Sequence, residues 1–278
     1  MMRGMFAAIS GLKVHQMMLD VTANDIANVN TIGFKAERTS FKDALSQLQR
    51  GSSAPSATLG GTNSAQVGLG VQLNGIDNLM GSGAVQSTGN ALDCAIQGDG
   101  FFRITDDPTG FGNILYTRAG NFSRDANGDM VTPEGYYIVG YTIDPVTGAP
   151  TGTETTINVP ANTKSVTIGQ DGVVTTIDAT GTVARIAAIS MAKFPNNEGL
   201  ERVSGNKFAA SNNSGAESVG SAGTNGLGTL SPGAVEMSNV DLAQEFTNMI
   251  TAQRGFQANS RIISTADEML QELVNLKH

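Results

Sequence analysis

Apolar residues recur at alternating steps of four and three at both ends of the chain, and no other feature of the sequence restricts its fold as strongly. At the N-terminus Met5, Ile9, Leu12, Leu19, Ala23 and Ile26 follow this spacing, with Gln16 the one polar occupant. Such steps put a stripe on one face of a helix and suit knobs-into-holes packing against a second helix. The spacing predicts a helix over Met5–Val29, closed at Asn30-Thr31-Ile32-Gly33, where Gly33 can take the left-handed conformation that ends a helix. At the C-terminus Leu242, Phe246, Met249, Phe256, Ile263, Leu270 and Val274 keep the same kind of register, shared by Gln253, Ser260 and Asp267. Ser238 with Asp241 reads as a capping box, and Gly255 is the one interior glycine before Lys277. At ~1.5 Å per residue this second helix is on the order of 55 Å long. Only the shorter helix at the other end can cover it, so both are expected to keep apolar surface that seeks neighbouring molecules.

Between the ends the composition changes. No charged residue occurs from Gly51 to Ile76, and Gly, Ser, Thr, Ala and Asn dominate to Gly89. Residues 34–90 therefore read as a connector. A short amphipathic helix is expected within it at Ser40–Leu48, with Phe41, Ala44, Leu45 and Leu48 on one side. Extended segments are expected where Val67, Leu69, Val71, Leu73 and Ile76 largely alternate. Similar composition returns over 211–237, a return connector. The centre, 91–210, reads as a β domain: Phe101–Ile104, Tyr136–Val139, Val166–Ile168 and Ala187–Met191 carry strand-forming residues between turns, and Asp171-Gly172 is a hairpin signal. The fold class is α+β: a discontinuous coiled-coil domain of residues 1–33 plus 238–278, an extended connector, and a central, mainly antiparallel β domain.

Composition then narrows the function. Charged residues make up 15% of the 278, and the 17 Lys+Arg against 25 Asp+Glu give a net charge of −8 with no two basic residues adjacent. The electrostatic footprint of a nucleic-acid or anionic-membrane binder is missing. No run approaches 18 uninterrupted apolar residues, and Arg3, Lys13 and His15 interrupt the N-terminal pattern, so neither membrane insertion nor a cleaved signal is expected.

Candidate chemistry is sparse. Cys94 stands alone in an apolar stretch without a basic neighbour and reads as a core residue. His15 on a helix edge lacks a nucleophile elbow elsewhere in the chain. Asp125, Asn127 and Asp129 resemble the start of a calcium loop, but Met130 stands where glycine is needed and Tyr136 where glutamate is. The turns Gly68-Leu69-Gly70 and Gly98-Asp99-Gly100 complete no phosphate-binding pattern. The Met1, Met2, Met5, Met17 and Met18 set reads as seam packing. No catalytic, cofactor-binding or metal residues are expected, and an extracellular hydrolase or calcium-dependent adhesin ranks third among the readings for that reason.

The terminal segments are more specific. Leu19–Lys35, with Asn24, Ile26, Ala27, Asn28, Gly33 and Phe34, resembles the N-terminal signature of the bacterial flagellar rod and hook proteins, which usually carry Asn where this chain has Asp25. Gln97-Gly98-Asp99-Gly100-Phe101-Phe102 and Tyr116-Thr117-Arg118-Ala119-Gly120-Asn121-Phe122 are similar to the opening of that family's β domain. Glu236–Leu242, Gln253-Arg254-Gly255-Phe256 with Asn259, and Leu273–Lys277 resemble its C-terminal helix, in the form found in hook subunits. The resemblance implies a structural subunit of the hook, short of the extra outer domain of longer hook proteins. It polymerises into a flexible tube that couples rod to filament, with the paired terminal helices as the inner wall. A distal rod subunit is the alternative. The implied partners are copies of the chain itself, the distal rod, hook cap and hook-filament junction proteins, and the flagellar export apparatus. Export to the flagellum without signal cleavage is implied as well.

Overall fold

The computed structural model describes residues 2–55, 60–144 and 150–276. Contacts divide the chain into a helical unit, 1–27 with 37–78 and 241–278, and a β unit, 28–36 with 79–240.

In the helical unit α1 spans Met2–Ala27 and α2 spans Leu242–Asn275. Asp241 is the N-cap of α2: its Oδ1 accepts from the Ala243 and Gln244 N–H groups, two donors a helix start leaves orphaned. Ser238, expected to open a capping box, instead accepts from Val240 N–H one turn too early for that role. The expected end at Lys277 lies outside the described residues. The helix expected at Ser40–Leu48 is not formed. Glu37–Asp43 is a strand paired antiparallel with Val71–Asn78, and Ser46–Arg50 pairs with Ala65–Gly68. A nine-residue helix has too few internal hydrogen bonds to repay its nucleation, whereas the alternating segment at 71–78 offers the inward backbone groups of 37–43 an antiparallel ladder. Phe41 then points toward His15 of α1, edge to face at 6.3 Å between ring centroids. The Ser10 hydroxyl of α1 accepts from Val71 N–H, so the ribbon lies along α1.

The β unit is built on a large antiparallel sheet. Its main path runs Thr163–Ile168, Val173–Asp178, Val183–Ile189, Tyr137–Ile143, Phe101–Thr105, Ile114–Thr117, Lys207–Ala209 and Glu201–Val203. Phe101–Thr105 is buried on both faces. Alternation along it sends Phe102 and Ile104 into a core with Ile96, Phe122, Ile138 and Ile189, and Phe101 into a second with Tyr116, Phe194, Leu200 and Phe208. The Asp171-Gly172 hairpin forms, with Gly172 at φ 80° and Ile168 opposite Val174. The connectors anticipated at 34–90 and 211–237 are both divided. Val85–Ser87 pairs with Ala234–Glu236, Thr229–Pro232 with Cys94–Gln97, and Ser218–Gly220 with Met191–Lys193, so these glycine-rich stretches are strands of the β unit. Their low charge suits backbone pairing where side chains are small.

Candidate assembly surface

Two close approaches set the geometry of the helix pair. A Cβ on Gly11 would lie 2.7 Å from Asn259 Nδ2, and one on Gly255 would lie 2.5 Å from the His15 ring. Residue 11 facing 259 and residue 15 facing 255 make α1 and α2 antiparallel. The sides turned to the interior are Ala8, Gly11, Val14, Thr22 and Asp25 on α1, and Ala252 and Ala266 on α2. Asp25 is fully buried, and its Oδ2 accepts from Glu37 N–H at 3.0 Å.

This seam runs one residue beside the register read from the apolar steps. Of the expected seam residues, Met5, Leu12, Leu19 and Ile26 are half-buried, and Ile9 and Ala23 are exposed. On α2, Met249, Phe256, Ile263 and Leu270 are half-buried, while Leu242, Phe246 and Val274 are exposed. The physical reason is size. Small residues at 8, 11, 252 and 255 let the backbones come close, so the large side chains are pushed to the flanks of the contact. Phe6 at 60% exposure, Met17, Ile250 and Ile262 lie uncovered as well. By the antiparallel register α1 begins beside about Glu268, and α2 continues past that point with Met269, Leu273 and Val274 exposed, as is Leu276 just beyond its end. Apolar surface of this extent on a monomer marks an interaction surface.

The family-motif residues separate into two groups. Asn259 is in the seam, against Gly11. Gln253, Arg254, Asn24 and Ala27 are exposed on the helices, and Asn28 at the end of α1 accepts from the Thr31 hydroxyl. Gly33 and Phe34 are buried inside the β unit. Gly33 sits at φ 69° with its α-carbon against the Arg118-Ala119 backbone, and Phe34 lies under the Arg202 guanidinium at 4.7 Å. Asn206, itself at φ 56°, donates from Nδ2 to Ile32 O. Arg118, Arg202, Asn206 and Glu236, which receive the motif, were not singled out individually from sequence. A buried cation in a chain so poor in charge was the signal available.

Chemistry elsewhere is limited. Cys94 is fully buried, and burial, with Asp93 beside it, pushes its thiol up to about 12. His15 packs on Gly255 and Phe41. The 125–129 segment is a turn in which Asp125 Oδ1 accepts from the Asn127 and Asp129 N–H groups. A cavity of about 280 Å³ lies between the Asn30–Ile32 turn and Glu134, Asn206 and Lys207, with Lys207 and Glu134 ion-paired at its wall. Among the described residues no group of three or more His, Cys, Asp or Glu could hold a metal, and no helix is long and apolar enough to cross a membrane.

A helix pair with uncovered apolar flanks, joined to a β unit, defines a structural subunit of a larger assembly. Three family models match: flagella basal body rod protein at residues 5–35, flagellar hook protein FlgE/F/G D1 domain at 95–183, and flagellar basal body rod FlgEFG protein C-terminal at 231–276. The flagellar basal-body rod protein FlgG of Bacillus subtilis (strain 168) is 49% identical over 278 residues, the whole of both chains. That of Borreliella burgdorferi is 36% identical, covering 100% of this chain and 99% of its own, and the flagellar hook protein FlgE of the same organism is 28% identical over an alignment of 446 residues. A crystal structure of Helicobacter pylori flagellar hook protein FlgE2 matches 31% of this chain and 26% of its own, at 26% identity and a TM-score of 0.24. The chain belongs to the bacterial flagellar rod and hook protein family, whose members are structural subunits of the basal body and hook and not enzymes. Within that family the expected hook reading is the less favoured one, because the relatives matched at 34–49% identity carry the rod name.

Proposed function

We propose that the protein is a distal rod subunit, polymerising into the straight shaft of the flagellar basal body. The observation that carries this reading is the end-to-end match, without excess length on either side, to a chain named as the rod protein FlgG. In the assembly the terminal segments form the tube wall. The stripe Met5, Ile9, Leu12, Leu19, Ala23 and Ile26 and the stripe Leu242, Phe246, Met249, Phe256, Ile263, Leu270 and Val274, left on the flanks of the intramolecular seam, meet their counterparts on neighbouring copies. An open, head-to-tail contact of this kind builds a helical polymer. The subunit reaches the flagellum through the flagellar export apparatus without loss of its N-terminal helix, and contacts the hook-side proteins at one end of the shaft.

The test is complementation in cells lacking either their distal rod gene or their hook gene. Expression of this chain is expected to restore rods in the first strain, seen in purified basal bodies by electron microscopy, and to restore no hooks in the second. Hooks in the second strain and none of the rods in the first would reverse the assignment.

A further inference from the structure

The chain passes between its two units four times, after Ala27, Ala36, Asn78 and Val240. Inside the β unit the segments next to these crossings are fastened to one another by three charged side chains withdrawn from water and by the half-buried Asn239. Lys35 and Glu236, both fully buried, pair at 2.6 Å, and Arg118 Nη1 donates to the second carboxylate oxygen at 3.2 Å. Glu236 Oε1 also accepts from Gly83 N–H, and Lys35 Nζ donates to Gly81 O, each at 2.8 Å. Asn239 accepts from Ala36 N–H and donates to Leu79 O and Gly81 O. Gly33 N–H donates to the backbone oxygen of Glu236. Residues 28–36, 79–84 and 234–240 are thereby bound into one cluster.

Two cations and one carboxylate in a dry interior are a poor device for stability alone. Desolvation opposes them, burial pulls the Lys35 ammonium below its ordinary value against the pull of Glu236, and apolar replacements of such clusters are often as stable. Desolvated charges do, however, accept few arrangements, because any other leaves a partner unmet. We propose that Lys35, Arg118, Glu236 and Asn239 form a clasp that fixes the chain crossings at the root of the β unit, so that force carried along the chain is delivered to the sheet through these four side chains. They are positioning residues. The tube reading supplies the reason force matters, but the clasp itself is a property of one subunit.

Hydrogen–deuterium exchange on the full-length monomer tests it. In Glu236→Gln the Gly33, Ala36, Gly83 and Met237 amides are expected to exchange at least tenfold faster, while the amides of Phe101–Thr105 and Val183–Ile189 stay within twofold of the parent. The triple variant Lys35→Met, Arg118→Met and Glu236→Met removes the charges together. It is expected to keep the melting temperature of the sheet and still lose clasp protection, and it decides the matter if Glu236→Gln does not fold. Clasp and sheet amides accelerating together, or the triple variant regaining parental protection, would reduce the cluster to an ordinary stabilising contact. Failed complementation by the unaltered chain would count against the rod assignment and leave the clasp standing.

Discussion

Replacing Gly33 by alanine tests whether the N-terminal motif is seated in the β unit as tightly as its geometry implies. The residue adopts φ 69°, and an added Cβ would lie 2.5 Å from Ala119 N and 2.8 Å from both Ala119 Cα and Arg118 C. The left-handed conformation costs an alanine about 1–2 kcal/mol. Overpacking adds about 1–3 kcal/mol, and no rotamer change relieves it because every atom met is backbone. Lifting the segment instead would expose Phe34, worth about 1.5–3 kcal/mol, and part Lys35 from Glu236, so the chain is expected to bear the strain. The total is about 2–5 kcal/mol. Gly135, at φ 90° with nothing within 4 Å of an added Cβ, supplies the control, since Gly135→Ala carries the conformational cost alone. The chain has no tryptophan, and its four tyrosines, Tyr116, Tyr136, Tyr137 and Tyr141, all lie in the β unit. Tyrosine fluorescence in a urea titration therefore reports that unit, while ellipticity at the helix band reports chiefly α1 and α2. Gly33→Ala is expected to lower β-unit stability by at least ~1 kcal/mol more than Gly135→Ala. Equal losses would show that the Gly33 approach is loose, and the seating of the motif would have to be abandoned.

Three further outcomes are expected. On the assembly proposed above, Leu19→Asp or Phe256→Asp places a charge on a flank covered by neighbouring copies, at on the order of several kcal/mol per contact; cells are expected to be immotile with few assembled shafts in micrographs, whereas Asp at exposed Gln16 or Gln253 is expected to be milder. Leu273→Glu, on the stretch of α2 beyond α1, is expected to leave the urea midpoints of the monomer unchanged and to abolish its polymerisation in light scattering; a polymer of normal length would remove that surface from the assembly. Because burial raises the Cys94 thiol to about 12, the unfolded chain releases that proton first, so the thiol's contribution to stability is whole below about pH 8.5 and is lost as pH rises toward 12. Cys94→Ala is expected to flatten that alkaline decline in melting temperature, and Cys94 in the native chain is expected to resist iodoacetamide until the β unit unfolds.

The helices, the hairpin at Asp171-Gly172 and the β character of the centre were legible because each rests on a local pattern. What local patterns missed depended on partners distant in sequence. Phe41, Ala44, Leu45 and Leu48 fit a helical face and not an alternating one, and only the pairing with Val71–Asn78 and Ala65–Gly68 decides for strands. The glycine-rich stretches at 79–90 and 211–237 look like linkers because nothing within them shows that Ala234–Glu236 will meet Val85–Ser87 across about 150 residues. The clasp was hidden for the same reason: Lys35 and Glu236 are 201 positions apart, and neither is unusual in its own surroundings.

The displaced seam has a different origin. Reading apolar steps locates the stripe with the greatest hydrophobicity, and in a monomeric hairpin that stripe would be the one buried. Here the intramolecular contact takes the neighbouring stripe, with Ala8, Gly11, Ala252 and Gly255 beside polar His15, Asn259, Thr22 and Asp25. Small residues gain little from burial, so this contact alone is a weak reason for a 34-residue helix to persist in water. The large side chains on either side have the greater transfer free energy, and it is realised only when other copies cover them. In the proposed assembly a subunit arranged in this way is expected to gain most of its helical stability from its neighbours. The ends are therefore expected to be loosely held in the monomer and firm in the polymer. Hydrogen exchange can separate the two cases, because amides of Met269–Asn275 are expected to exchange within seconds in the monomer and to be protected by at least a hundredfold in assembled shafts. Equal protection in both states would mean that the flanks are not the assembly surface.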